Sequence, residues 1–252
     1  MMGTMNAVNP LSPEPSQPTR RERTHAATRV EILQAARRLL IDGGVEQVTV
    51  RGIATELGMT APALYRYFDS RESLLGALCN SLYDELADDL LAARDADPDV
   101  PLKKRFLITS YAFRQWALDH RSEFGLLFGA PIPGVLRDNS VHPDPNEDRG
   151  MRFGQVWLEL FAELWRQHPV SVPRARDIDP RLREQLAGYH EQIGRMVPIG
   201  AVALYLSCWV QLYGAVATEA FGHLDFALQD GDGGPMFDGL MGELAGKLGL
   251  EH

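Results

Sequence analysis

Cysteine is nearly absent: the chain carries only Cys79 and Cys208, far apart in the sequence. That excludes a disulfide framework, and with no secretory leader read at the start it points to a reducing, cytoplasmic location. Metal-ligand spacing is missing too. The seven histidines form no His-x3-His pair, no Cys-x2-Cys occurs, and His142 and Asp144 sit in a proline-rich stretch, so no metal is expected. No glycine loop of the phosphate-cradling kind and no serine nucleophile elbow is present, so the expectation is no cofactor and no enzyme. His120 lies near Glu123, but a helix-end histidine with one structural hydrogen bond is the simpler reading. Paired acids such as Asp88 and Asp89 read as a solvated helix face. Alternating strand patterns and internal repeats are also lacking, which leaves an all-α fold.

Positive charge is in deficit overall. The 252 residues hold 25 Lys+Arg against 34 Asp+Glu, a net −9, within an ordinary globular composition of 45% hydrophobic and 23% charged residues. The deficit is uneven: residues 19–72 carry nine arginines against seven acids, whereas residues 73–252 carry a net −10. A mildly basic head sits on an acidic body, so nucleic acid is a partner for the head alone.

Long apolar runs are scarce. The one present is 23 uncharged residues between Arg195 and Glu219, long enough to cross a bilayer. Pro198, Ser207, Gln211 and Thr218 interrupt it and no Lys/Arg excess flanks it, so a buried helix and no membrane partner are expected. Small residues at Gly200, Ala201, Ala203, Gly214, Ala215 and Ala217 allow another helix to approach, either inside one subunit or, as we favour, across a dimer interface.

What the chain does have is punctuation. Residues 1–18 hold four prolines and little apolar periodicity. With Arg20, Arg21 and Arg23 they read as a disordered, basic and proline-rich arm, 1–25, whose arginines either stay solvated or fold onto a partner. From Thr28, apolar residues at 32, 36, 39 and 40 keep helical spacing until Gly43-Gly44. Thr49 is an N-cap for a short second helix that stops at Gly58. Thr60 caps a third, running two turns to Phe68, with Pro62 in the first turn where it costs no hydrogen bond. A long fourth helix follows Ser70, with leucines at 74, 78, 82, 86 and 90, and ends among Asp95, Asp97, Pro98, Asp99 and Pro101. Further helices are predicted over 102–119, 121–128, 151–167, 180–194, 197–222 and 236–248, with a proline-rich loop or lid over 129–150.

Helix, tight glycine turn, helix is a helix-turn-helix signature. In the third helix the 3.6-residue period turns Leu64 and Phe68 inward and leaves Thr60, Ala61, Ala63, Arg66 and Tyr67 facing out. A short helix with small residues such as Ala61, Pro62 and Ala63 in its first turn fits a major groove. Arg66 then reaches a guanine edge or a phosphate, and the hydroxyls of Tyr65 and Tyr67 reach phosphates. Thr49, Arg51 and Arg71 are placed to hold the DNA backbone on either side. The alternative is that Tyr65 and Tyr67 are aromatics packed over a small core.

These residues closely resemble the N-terminal domain of TetR/AcrR-family transcriptional regulators. The likeness runs from about Ala26 to Leu86 through Ile32-Leu33-Gln34-Ala35-Ala36, Thr49-Val50-Arg51-Gly52-Ile53-Ala54, Leu57-Gly58-Met59, Leu64-Tyr65-Arg66-Tyr67-Phe68 and Arg71-Glu72-Ser73-Leu74-Leu75. Arg71 stands where the family often has lysine, and Ala61-Pro62 replaces a commoner polar or glycine pair. The resemblance implies an all-helical homodimer presenting two recognition helices to a palindromic double-stranded DNA operator. It also implies a DNA-binding domain over 26–86 and a helical effector-binding and dimerisation domain over 87–252. The stretch Trp116 to Gly129 resembles an actinobacterial-type subgroup, and Trp209 to Gly222 resembles its dimer helix. Expected lining residues for a small hydrophobic effector are Tyr111, Trp116, Phe124, Trp157, Phe161 and Trp209. Expected dimer contacts are Val202, Leu206, Val210, Tyr213 and Ala217. The reading is a ligand-released repressor. Its rivals are a helical small-molecule-binding protein or enzyme with the head as a packing module, and an activator or a regulator without a ligand.

Overall fold

Thr19 starts the first helix eight residues before the apolar periodicity does. Its hydroxyl accepts from the Glu22 N–H while the Glu22 carboxylate accepts from the Thr19 N–H, a capping box that launches α1, Arg20–Gly43. In this computed structural model, which describes residues 19–132, 149–228 and 231–250, residues 20–25 are therefore helical rather than part of a disordered arm. The reason is the cap, which needs no apolar face to act. Residues 1–18, and most of the expected 129–150 loop, lie outside the described residues. Gly44, with φ 77°, closes α1 by donating its N–H to the Leu40 carbonyl.

A single 3-10 turn, Val45–Gln47, leads to α2, Val50–Glu56, and then to α3, Ala61–Leu64, each opened by a threonine cap. Ile32, Ala36, Leu40, Val48, Ile53, Leu64 and Phe68 are buried within the head. The fourth helix, α4, Arg71–Asp95, is capped by Ser70, and its leucines at 74, 78, 82, 86 and 90 are all buried. It runs without a break from the head into the body, where it packs on α5, Leu102–Asp119, and α7, Arg149–Gln167.

The body is completed by α6, Arg121–Phe128, α8, Pro180–Gln192, α9, Ile199–Ala220, and α10, Gly234–Lys247. Among the described residues there are ten α-helices and no strand. Arg114 of α5 grips the buried Glu219 of α9 through two hydrogen bonds of 2.7 and 2.5 Å, and Glu219 also accepts the Gly233 N–H just before α10. The turn after α9 supplies backbone donors to the Ala217, Thr218 and Glu219 carbonyls, and Arg121 adds a donor to Glu219 and supplies one to the Ala220 carbonyl. At Gly200 a methyl group would collide with the Pro173 carbonyl, so this glycine admits the 170s segment against α9 rather than another helix.

Head and body are also joined by charge. Arg37 of α1 binds Glu85 of α4 with two bonds of 2.7 and 2.9 Å, and Glu123 of α6 with one of 2.9 Å. Glu123 is only 3% exposed and pairs with Arg37, not with His120, whose Nδ1 lies 3.0 Å from the Trp116 carbonyl oxygen.

Candidate DNA-binding surface and the aromatic body

The outward element of the head begins at Thr60, whose hydroxyl accepts the Ala63 N–H. Thr49 does the same for Gly52. Each cap oxygen keeps its own hydroxyl hydrogen, so both threonines can still donate to a phosphate. Leu64 and Phe68 are buried and anchor the element, while Thr60, Pro62, Tyr65 and Arg66 are exposed and Ala61 and Ala63 partly so. The guanidinium groups of Arg51 and Arg66 are exposed and meet no carboxylate among the described residues.

Three expectations change. The third helix is one α turn, Ala61–Leu64, followed by a tighter turn in which Arg66 and Tyr67 donate to carbonyls three residues back, not two full α turns. Arg29 ends it: its guanidinium donates to the Tyr67 carbonyl at 2.9 Å and lies 4.1 Å over the Phe68 ring. Tyr67 is half-buried, its ring stacked on His25 with centroids 4.6 Å apart, whereas Tyr65 is 49% exposed. Arg71 does not reach outward as a phosphate clamp. Its Nε and Nη2 donate to the Val48 and Val45 carbonyls at 2.8 and 2.6 Å, which fixes the turn before α2 against the start of α4. Arg29, His25 and the Arg38–Glu56 pair carried no spacing signal, because their partners lie far along the chain.

In the body, Phe113 is fully buried at the centre of an aromatic cluster with Phe124, Phe128, Phe153, Trp157 and Trp209, ring centroids 5.6 to 6.1 Å away. Of the six expected lining residues, Phe124, Trp157 and Trp209 meet there. Phe161 lies instead against Trp165 and Tyr205, and Trp116 stacks on His120. Tyr111 is outside the cluster, its hydroxyl 2.6 Å from Asp238 at the α5–α10 surface. The indole N–H groups of Trp116 and Trp157 are buried without a hydrogen-bond partner among the described residues. No group of three or more His, Cys, Asp or Glu among those residues is placed to hold a metal ion.

The face of α9 left open differs from the expected one. At 100° per residue, Ala203, Ser207, Val210, Gln211 and Gly214 share the solvent side, with Val210 66% exposed and Gly214 facing open space. Val202 and Ala217 are buried within the chain and Tyr213 is half-buried, its hydroxyl donating to the Phe128 carbonyl; of the five expected contacts only Leu206 and Val210 border the open side. Small size at Ala201 and Ala217 suited close packing, and the chain itself buries both.

A three-helix head carrying an exposed, capped third element on an all-helical body defines a helix-turn-helix DNA-binding regulator. Residues 32–78 match the family model of bacterial regulatory proteins, tetR family, and residues 106–244 match the tetracyclin repressor-like C-terminal domain, so the chain belongs to the TetR family of DNA-binding transcriptional regulators. The HTH-type transcriptional regulator Rv1816 of Mycobacterium tuberculosis is 28% identical over 193 residues, 76% of this chain and 80% of that protein. The HTH-type transcriptional regulator PksA of Bacillus subtilis is 30% identical over 177 residues, 60% of this chain and 85% of that protein. The crystal structure of protein SCO4313 superposes with a TM-score of 0.67 at 29% identity, covering 90% of this chain and 100% of that one.

Proposed function

We propose that the protein is a homodimeric repressor that holds a palindromic operator with two copies of α3 and leaves it when a small hydrophobic effector enters the body. The observation that carries this reading is the exposed Thr60–Arg66 element, anchored from behind by Leu64 and Phe68 and bearing an unpaired Arg66. Thr49, Arg51, Thr60, Ala61, Pro62, Ala63, Tyr65 and Arg66 form the proposed DNA surface, with Tyr67 and Arg71 positioning it from behind.

Dimerisation is supported by α9. It is long and apolar enough to cross a membrane by composition, yet only a third of its most apolar stretch is buried within the chain. Its open side is flanked by an apolar groove with Leu182 and Leu186 and by another with Met236 and Leu240. A second copy laid across this face would bury Val210 and Met236. Effector binding is supported by the aromatic cluster and by the unpartnered Trp157 indole N–H within it. A buried N–H without an acceptor is costly, so an apolar effector carrying an oxygen acceptor fits better than a pure hydrocarbon.

Selection of duplexes from a random pool by the full chain tests the reading. The expected site is a palindrome whose half-sites lie about one DNA turn, ~34–36 Å, or a multiple of it apart. A chain that retains no duplex, even at low salt, is not the proposed repressor.

A further inference from the structure

The first turn of α1 carries Arg20, Arg21 and Arg23, cations at the end of a helix where the macrodipole disfavours them. Their guanidinium groups meet no carboxylate among the described residues, and residues 20–27 are exposed. Charge placed against the local field and left without an internal partner points to an external anion. The helix also has a direction. At 100° per residue Arg21, His25, Ile32 and Ala36 fall on one side of α1, the side that faces the head core, while Arg23 falls opposite. On that side His25 stacks on Tyr67, the neighbour of Arg66. The seven residues from Arg21 to Ala27 extend the arm about 10 Å beyond the packed head at 1.5 Å per residue.

We propose that the first two turns of α1 are a second DNA contact, in which Arg21 holds a backbone phosphate flanking the base pairs that α3 faces and the His25–Tyr67 stack fixes the direction of the arm. The proposal rests on the α3 reading above. A duplex presents one phosphate charge per about 1.7 Å of its axis, so DNA seated on α3 offers phosphates along the whole arm. No other class of partner matches both the charge and the continuity with the recognition element.

The test uses the full-length chain, the duplex recovered by selection, and titrations at several salt concentrations for the wild type, Arg21→Gln and Arg23→Gln. Each phosphate contact contributes about 0.9 to the slope of log affinity against log salt. Arg21→Gln is expected to lower the slope of the dimer by about 1.8, and Arg23→Gln, on the far side of the same turn, to leave it unchanged; circular dichroism should be the same for all three. An unchanged slope in Arg21→Gln overturns the proposal, as does an equal loss in Arg23→Gln, which would mean a diffuse field and no directed contact. A wild type that binds no duplex overturns the α3 reading itself.

Discussion

Arg66 and Arg71 stand five residues apart in the same basic segment, and the structure gives them opposite work. Arg66 is exposed and unpaired, whereas Arg71 satisfies the Val45 and Val48 carbonyls. Arg66→Ala is therefore expected to weaken operator binding and relax its sequence preference, by about 1–3 kcal/mol at the affected base, with an unaltered melting temperature. Arg71→Ala should instead lower the melting temperature, since the Val48 carbonyl loses its arginine donor, at about 1–3 kcal/mol, and the Val45 carbonyl is left with the Val48 N–H alone. Gel shifts and thermal melts on the same two variants separate the roles. The cysteines make a different point. Burial pushes the Cys79 thiol up to about 12 and that of Cys208 up to about 11, so both should resist maleimide at neutral pH in the folded protein. Because an unfolded thiol ionises near 9.0, stability contributed by the buried neutral thiols is present below that pH and declines as pH rises towards 11 and 12. Reactivity of either thiol in the native chain at pH 7 would contradict the burial. The capping threonines and the buried Leu64 and Phe68 were legible in the sequence because a cap and a 3.6-residue period act within one turn. The destination of Arg71 was not, since its acceptors lie more than twenty residues back.

Among the elements, agreement follows the breakers. The predicted 102–119 and 121–128 helices match α5 and α6 because Pro101 and the His120 kink fix their ends locally. The start of α1 was missed because the cap at Thr19 precedes the apolar pattern. The contact between α1 and α6 was illegible, as it joins Arg37 of the head to Glu123 of the body, 86 residues further along the chain. That link has a sharp energetic signature. Replacing Arg37 by leucine leaves the buried Glu123 charge without its partner and is expected to cost about 3–5 kcal/mol. Changing Glu123 to leucine as well should restore much of that loss, and a double-mutant cycle in urea reads the coupling. For α9, Val210→Arg places a charge on the open apolar face. It should convert a dimer to a monomer in sedimentation while leaving the helical content unchanged, and a persistent dimer would move the interface elsewhere.

The molecule as a whole is an acidic body with a basic end, and α4 belongs to both parts. Arg71 fastens its first turn to the head, Glu85 meets Arg37 midway, and Asp88 holds Arg152 of α7 further on. Over 25 residues it spans about 37 Å. Head and body are therefore expected to melt together. Circular dichroism follows all the helices, whereas fluorescence follows tryptophans 116, 157, 165 and 209, all in the body, so coincident transitions are the expected result and an earlier dichroism phase would show a head that unfolds alone. The same continuity governs any attempt to exchange modules between relatives. There is no seam to cut at: a joint placed inside α4 must keep the angular phase of every leucine on either side, and a joint placed before Ser70 hands the incoming reader a stem whose anchoring arginine expects two particular carbonyls. Hybrid sensors built from this scaffold will succeed or fail on how well the foreign reader fits that stem, more than on either donor's own robustness.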